Sequence, residues 1–180
     1  MSGEQEKPDA GFEKAFREHH KMVFRTAFRI TGNRADAEDV LQTVFLRLLR
    51  RDRASAEVAE LEHFLRRAAV NGALDVLRAR LSAHSTPLEA AAPMASASPA
   101  GAPDRVAESA EIRVWLREAV AHLSPQASEI FALRFFEGRE NGEIAQLVGT
   151  TAATVAVTLH RSRERIEQEF RAWTSEVHHG

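Results

Sequence analysis

Apolar residues return along this chain at steps of three and four, the period of a helix that buries one face. Over residues 11–30 the stripe is Phe12, Phe16, Val23, Ala27 and Ile30, with Phe24 beside it. Thr31, Gly32 and Asn33 break the helix, and Asn33 is placed to cap the next one with Asp36 three residues on, as in a capping box. The second helix, from Arg34 to about residue 51, buries Ala37, Val40, Leu41, Val44, Phe45 and Leu48 and turns Asp39, Gln42, Thr43 and Leu46 outward. A polar stretch, RDRASAEVAE, then reads as a loop or a frayed turn. Over residues 61–81 apolar positions cover most of the helix circumference, with Leu61, Leu65, Ala68 and Gly72 on one side and Val70, Leu74, Leu77 and Leu81 on another. Such a helix must be nearly surrounded.

Residues 83–107 differ in kind: rich in Ala, Ser and Pro and short of large apolar side chains, they cannot bury enough surface to fold alone and read as a flexible linker. Beyond them a helix near 108–122 carries Ile112, Trp115, Leu116, Val120 and Leu123. Ser124 and Pro125 are a cap and a first-turn proline for a helix that runs through Phe135 until Gly138 stops it. Asn141 is the expected cap of a short helix ending at Gly149, and Thr150 or Thr151 the cap of a longer one with a buried row of Val155, Leu159, Ser162, Ile166, Phe170 and Trp173. Two helices at an angle about a tight glycine turn predict a helix-turn-helix, although plain helical bundles use the same parts. The expected class is all-α: two small helical domains, 11–82 and 108–177, joined by the linker.

Composition narrows this further. At 180 residues, 44% hydrophobic and 28% charged, the chain is an ordinary one- or two-domain protein, and without tyrosine or sustained period-two alternation it offers little for a sheet. The net charge of -2 means that any nucleic-acid contact must come from local basic faces. Having no cysteine, the chain lacks disulfides, thiol nucleophiles and Cys-ligated zinc. A polar N-terminus and the absence of a membrane-length apolar run place it in the cytoplasm.

Three faces carry candidate chemistry. On the last helix Ala153, Val157, His160, Arg161 and Glu164 point away from the buried row with Arg163 at the flank, which suits apolar contact with thymine methyls followed by cations at phosphates. Packing of Ala153 and Val157 against the chain itself is the alternative. On the third helix Arg67, Asn71, Asp75 and Arg78 form a narrow polar strip beginning at Phe64. It is either a surface for base edges and stacking or a ladder whose members solvate one another. On the second helix Leu46 among Asp39, Gln42 and Thr43 suggests a partner surface, while acidic residues in a first turn also simply favour the helix dipole. The adjacent His19 and His20 project about 100° apart, a poor metal pair, and are expected to be solvated. No metal, cofactor or catalytic constellation is expected, so an enzyme is not.

The segments FEKAFREHHKMVFRTAFRITGNRADAEDVLQTVFLRLLR and FLRRAAVNGALDVLRAR resemble the promoter-melting domain of bacterial sigma factors of the extracytoplasmic-function type. HLSPQASEIFALRFFEGRENGEIAQLVGTTAATVAVTLHRSRERI resembles their C-terminal domain. The resemblance implies that Asp36, Asp39, Gln42, Thr43 and Leu46 dock on core RNA polymerase. It also implies that Phe64, Arg67, Asn71, Asp75 and Arg78 capture the non-template strand of the minus-ten element. Thr151, Ala153, Thr154, Val157, His160, Arg161 and Arg163 would read minus-thirty-five duplex. Promoter DNA and an anti-sigma factor are the other implied partners. The chain departs from the family in having Phe64 where many members have Trp, and Ala156, Val157 and Thr158 where many have a Lys-Ser-Arg run, which leaves fewer phosphate contacts. A DNA-binding regulator that never joins polymerase, and a helical adaptor that binds only protein, are the competing functions.

Overall fold

The computed structural model describes residues 10–50, 58–84 and 103–177. They form seven helices: α1 (Ala10–Thr31), α2 (Arg34–Arg50), α3 (Val58–His84), α4 (Pro103–Ala121), α5 (Pro125–Phe135), α6 (Asn141–Val148) and α7 (Ala152–Val177). No strand occurs among the described residues, and the all-α expectation holds. α3 reaches His84 and α4 starts at Pro103, so both ends of the expected linker are helical; 85–102, like most of RDRASAEVAE at 51–57, lies outside the described residues.

The break between α1 and α2 follows from local hydrogen bonding. The Thr31 hydroxyl donates back to the Ala27 carbonyl at 3.0 Å, and Gly32 takes a left-handed φ of 67° that an L side chain would resist. Asn33 Oδ1 then accepts the Asp36 backbone N–H at 3.2 Å, as an N-cap should. Asp36 does not return the bond; its carboxylate pairs with Arg80 at the far end of α3.

α2 is oriented as its pattern predicts, with Ala37, Val40, Val44, Phe45 and Leu48 buried and Leu41 half-buried. α1 keeps most of its expected stripe and departs from it at Phe16. Ala15, His19, Val23, Ala27 and Ile30 are its buried row, whereas Phe16 is 40% exposed, stacked on His20 at 5.1 Å and edge-on to Phe45 at 4.9 Å. Helix separation depends on the side chains at the seam, and Ala15 admits a close neighbour where Phe16 would not. The expectation of two solvated histidines is therefore wrong for His19, which is buried.

α3 is the helix around which the others are laid. It packs on α1 and α2 and also on α4 and α5, which is why apolar positions ring it. Leu65 and Leu74 are fully buried, each contributing about 1.5–3 kcal/mol of apolar transfer. Gly72 marks a close approach to α2, since a Cβ there would lie 3.2 Å from Val40 Cγ1.

In the second half, Ser124 Oγ accepts the Ala127 N–H at 3.4 Å and Pro125 opens α5. α6 is capped by Glu140, not by Asn141 as expected: the Glu143 carboxylate accepts the Glu140 N–H at 2.9 Å, leaving Asn141 as the first helical residue. Gly149, at φ 72° and ψ 45°, ends α6 in the left-handed conformation. Thr151 Oγ1 accepts the Thr154 N–H at 3.1 Å and starts α7. Val155, Leu159, Ser162 and Ile166 of α7 are buried, and its later turns bring Phe170 and Trp173 against Trp115 of α4, with ring centroids 5.0 and 5.9 Å apart. Among the described residues no helix is long and apolar enough to cross a membrane.

Candidate functional site

The geometry of α7 separates two jobs on one helix. With Val155, Leu159 and Ser162 buried, Thr151, Ala153, Thr154, Val157, His160, Arg161 and Arg163 all face solvent, immediately after the Gly149 turn. Val157 is 49% exposed, so the alternative in which it packs against the chain does not hold. His160 lies 3.5 Å from Glu164, and the Arg163 guanidinium sits 4.9 Å from the centre of the Phe135 ring, a cation–π distance. Arg161 projects from the same outer face with no ion pair among the described residues.

On α2, Asp39, Gln42, Thr43 and Leu46 are exposed together, and Leu49 extends the row, with Leu46 and Leu49 each about half exposed at 53% and 51%. The two uncovered leucines stand a turn apart, flanked by acidic and amide groups. The pattern had not singled out Leu49. Asp36 stands apart from this row, turned toward Arg80.

The α3 strip is neither open nor a self-solvating ladder. Arg78 Nη1 does reach Asp75 at 3.0 Å, the one internal pair of the strip. Arg67, however, grips Glu129 of α5 with Nε to Oε1 at 2.7 Å and Nη2 to Oε2 at 3.3 Å, the two-pronged geometry that guanidinium also makes with phosphate. Asn71 Nδ2 donates to the same Oε1 at 3.2 Å, and Arg78 Nη2 donates to Ser128 Oγ at 2.6 Å. A cleft of about 560 Å³ borders the strip, lined by Arg47, His63, Phe64, Arg67, Ala68, Asn71 and, from α6, Leu147.

A second acidic residue of the C-terminal half anchors Arg66, the residue just before Arg67 on α3. The Glu137 side chain, 1% exposed, accepts from Arg66 Nη1 at 2.5 Å, from the Thr26 hydroxyl at 2.8 Å and from Arg29 Nη1 at 3.2 Å. Three donors around one buried carboxylate meet its desolvation cost better than a single pair would. Arg66 also donates to Glu62 at 2.8 Å, and that hydrogen bond holds the Glu62 carboxyl below its ordinary range against the opposing effect of its burial. A third tie runs from α4. Arg117 Nε donates to the Ile30 carbonyl at 2.9 Å near the end of α1, and its guanidinium fills the space beside Gly32. Burial there lowers the Arg117 pKa.

Sequence patterning missed Glu129, Glu137 and Arg66. A signal existed: in SEIFALRFFEG a carboxylate sits within the buried run 128–133, and a charge at such a position calls for an opposite charge nearby. Its partner lay 62 residues away. No group of three or more possible metal ligands occurs among the described residues.

Comparison with known proteins gives matches over both halves of the chain. Residues 15–82 match the family model for sigma-70 region 2, and residues 113–166 that for sigma-70 region 4. The chain is 30% identical over 163 residues to an RNA polymerase sigma-E factor of Streptomyces antibioticus, covering 88% of this chain and 84% of that one. It is 29% identical over 159 residues to the sigma-E factor of Streptomyces avermitilis, with 88% and 84% covered. To the ECF RNA polymerase sigma factor SigM of Mycobacterium tuberculosis it is 30% identical over 156 residues, with 86% and 74% covered.

Proposed function

The chain belongs to the sigma-70 family of RNA polymerase sigma factors, of the extracytoplasmic-function type, and from that premise we propose a division of labour among its three faces. Its function is promoter recognition for transcription initiation, with RNA polymerase and promoter DNA as partners. The α2 row of Asp39, Gln42, Thr43 and Leu46, lengthened by Leu49, docks on core polymerase. Asp36, held by Arg80, steadies the start of that row. Phe64, Arg67, Asn71, Asp75 and Arg78 on α3 take the melted minus-ten strand, where Arg and Asn suit phosphates and base edges and Phe64 suits stacking. The cleft beside Phe64 is large enough for an unstacked base. Thr151, Ala153, Thr154, Val157, His160, Arg161 and Arg163 on α7 read minus-thirty-five duplex.

The observation that carries this reading is α7, which buries one row against its own domain and leaves an apolar-then-cationic row uncovered directly after a helix-turn-helix bend. An anti-sigma factor that covers the exposed leucines of α2 is the natural regulator, and the cytoplasm the place of action. Run-off transcription with purified core polymerase on genomic fragments tests the assignment. Discrete start sites that require this chain are the expected result; failure of the chain to associate with core polymerase would overturn it. Duplex binding without polymerase association would favour the stand-alone regulator instead.

A further inference from the structure

We propose that Phe135 is a positioning residue for DNA contact: its ring, at the end of α5, holds the Arg163 guanidinium ready for a backbone phosphate beside the groove that α7 enters. The inference rests on the reading of α7 as the duplex-reading helix, and it deepens that reading by giving a role to a residue outside the helix.

Arg163 is the cation that α7 places at a wall of the groove. It comes one position after the buried Ser162, so it leaves the helix about 100° round from that residue, at the flank of the buried row. A helix about 10–12 Å across nearly fills a major groove about 12 Å wide, so its outermost row meets base edges and its flanks meet the phosphates on either side.

Three observations single out the ring. First, the acids of α7 near Arg163 are directed elsewhere. Glu164 lies 3.5 Å from His160, Glu169 takes Arg165 at 2.8 Å, and Glu167, one turn on from Arg163, lies 3.9 Å from Arg171. Arg163 is left with Phe135, its Cζ 4.9 Å from the ring centre. Second, the ring is fixed from behind. Its centroid is 4.4 Å from that of Phe131, which is 6% exposed. The preceding residue, Arg134, is tied to the Arg139 carbonyl at 2.9 Å and to Glu140 at 3.0 Å, which secures the chain where α5 ends. Third, Phe135 is 44% exposed, so the core does not demand an aromatic side chain at this position.

The kind of partner matters. A carboxylate beside Arg163 would engage its N–H donors and cancel its charge, whereas a ring face attracts the cation through its quadrupole and takes neither. The guanidinium is restrained yet keeps its donors and its charge for phosphate. Restraining a long side chain before it binds removes part of the rotamer entropy lost on binding.

The test uses the full chain and a fluorescein-labelled duplex of about 20 base pairs and mixed sequence, because a phosphate contact is independent of sequence. Affinity is followed by anisotropy as KCl is varied between about 0.05 and 0.2 M. Phe135→Leu keeps apolar bulk and removes the quadrupole; it should weaken binding about two- to fivefold at every salt concentration and leave the log–log salt slope unchanged. Arg163→Ala should lower that slope by about 0.9. Phe135→Trp, whose face attracts cations more strongly, should match or exceed native affinity. In the Arg163→Ala background Phe135→Leu should cost nothing further. The proposal is overturned if Phe135→Leu binds as the native chain does or more tightly. It is also overturned if that change costs as much in the Arg163→Ala background as in the native one, which is how a general loss of folding would show. Failure of the α7 reading looks different: Arg163→Ala would then leave affinity and slope untouched, whereas failure of the proposal alone leaves the Arg163→Ala defect in place.

Discussion

Replacing Arg161 by alanine tests the reading of α7 with little structural disturbance. The side chain is exposed, and arginine and alanine are both strong helix formers, so neither core nor helix is expected to suffer. Among the outward cations of this helix, His160 has Glu164 beside it and Arg163 lies over Phe135, whereas Arg161 has neither an ion pair nor a ring contact among the described residues. If it meets a phosphate, its loss removes about one counterion-release step, which lowers the log–log salt slope of binding by about 0.9. That slope corresponds to a loss of roughly fivefold in affinity near 0.15 M salt and roughly fifteenfold near 0.05 M, so the defect must shrink as salt rises. Val157→Ala supplies the contrast. It removes an apolar contact of a 49% exposed side chain, so affinity for the preferred promoter should fall with no change in slope. The assay is fluorescence anisotropy of the chain on upstream promoter duplex as KCl is varied between about 0.05 and 0.2 M. Parallel salt plots for native chain and Arg161→Ala would refute the phosphate assignment, whatever the absolute affinities.

Gly149→Ala should destabilise the C-terminal half by about 1 kcal/mol, measured by urea unfolding. A left-handed alanine costs about 1–2 kcal/mol and is partly offset by a stiffer unfolded chain, while no atom lies within 4 Å to clash with the new Cβ. Glu62 makes a pH prediction. Its folded pKa is depressed from 4.5 chiefly by the Arg66 hydrogen bond, so its contribution to stability is present above 4.5 and disappears as pH falls through the lower folded value. Urea midpoints taken from about pH 6 down to about pH 3 should therefore drop less for Glu62→Gln than for the native chain; equal drops would contradict the assignment.

Much of the helix layout is legible in the chain itself, because caps and buried rows are local. Asn33, Ser124, Gly149 and Thr151 act through bonds spanning a few residues, and the rows of α2 and α7 follow from period alone. The outward residues of α7 are then settled by geometry, since a helix with one buried side has only one side left. α1 shows the limit. The period points to Phe16, whereas the choice of Ala15 and His19 over Phe16 for the seam depended on how close its neighbours come.

Periodicity reports how much of a helix is covered, not by what. Arg67, Asn71 and Arg78 form the same strip whether they face water, a DNA strand or Glu129, and only the packing of α5 on α3 decided which. Asp36 likewise found Arg80, and Glu137 found Arg66, across 44 and 71 positions. The physical reason is that hydrophobic burial is nearly blind to partner identity, whereas a buried charge is stable only opposite a particular group, and that group is supplied by the tertiary fold.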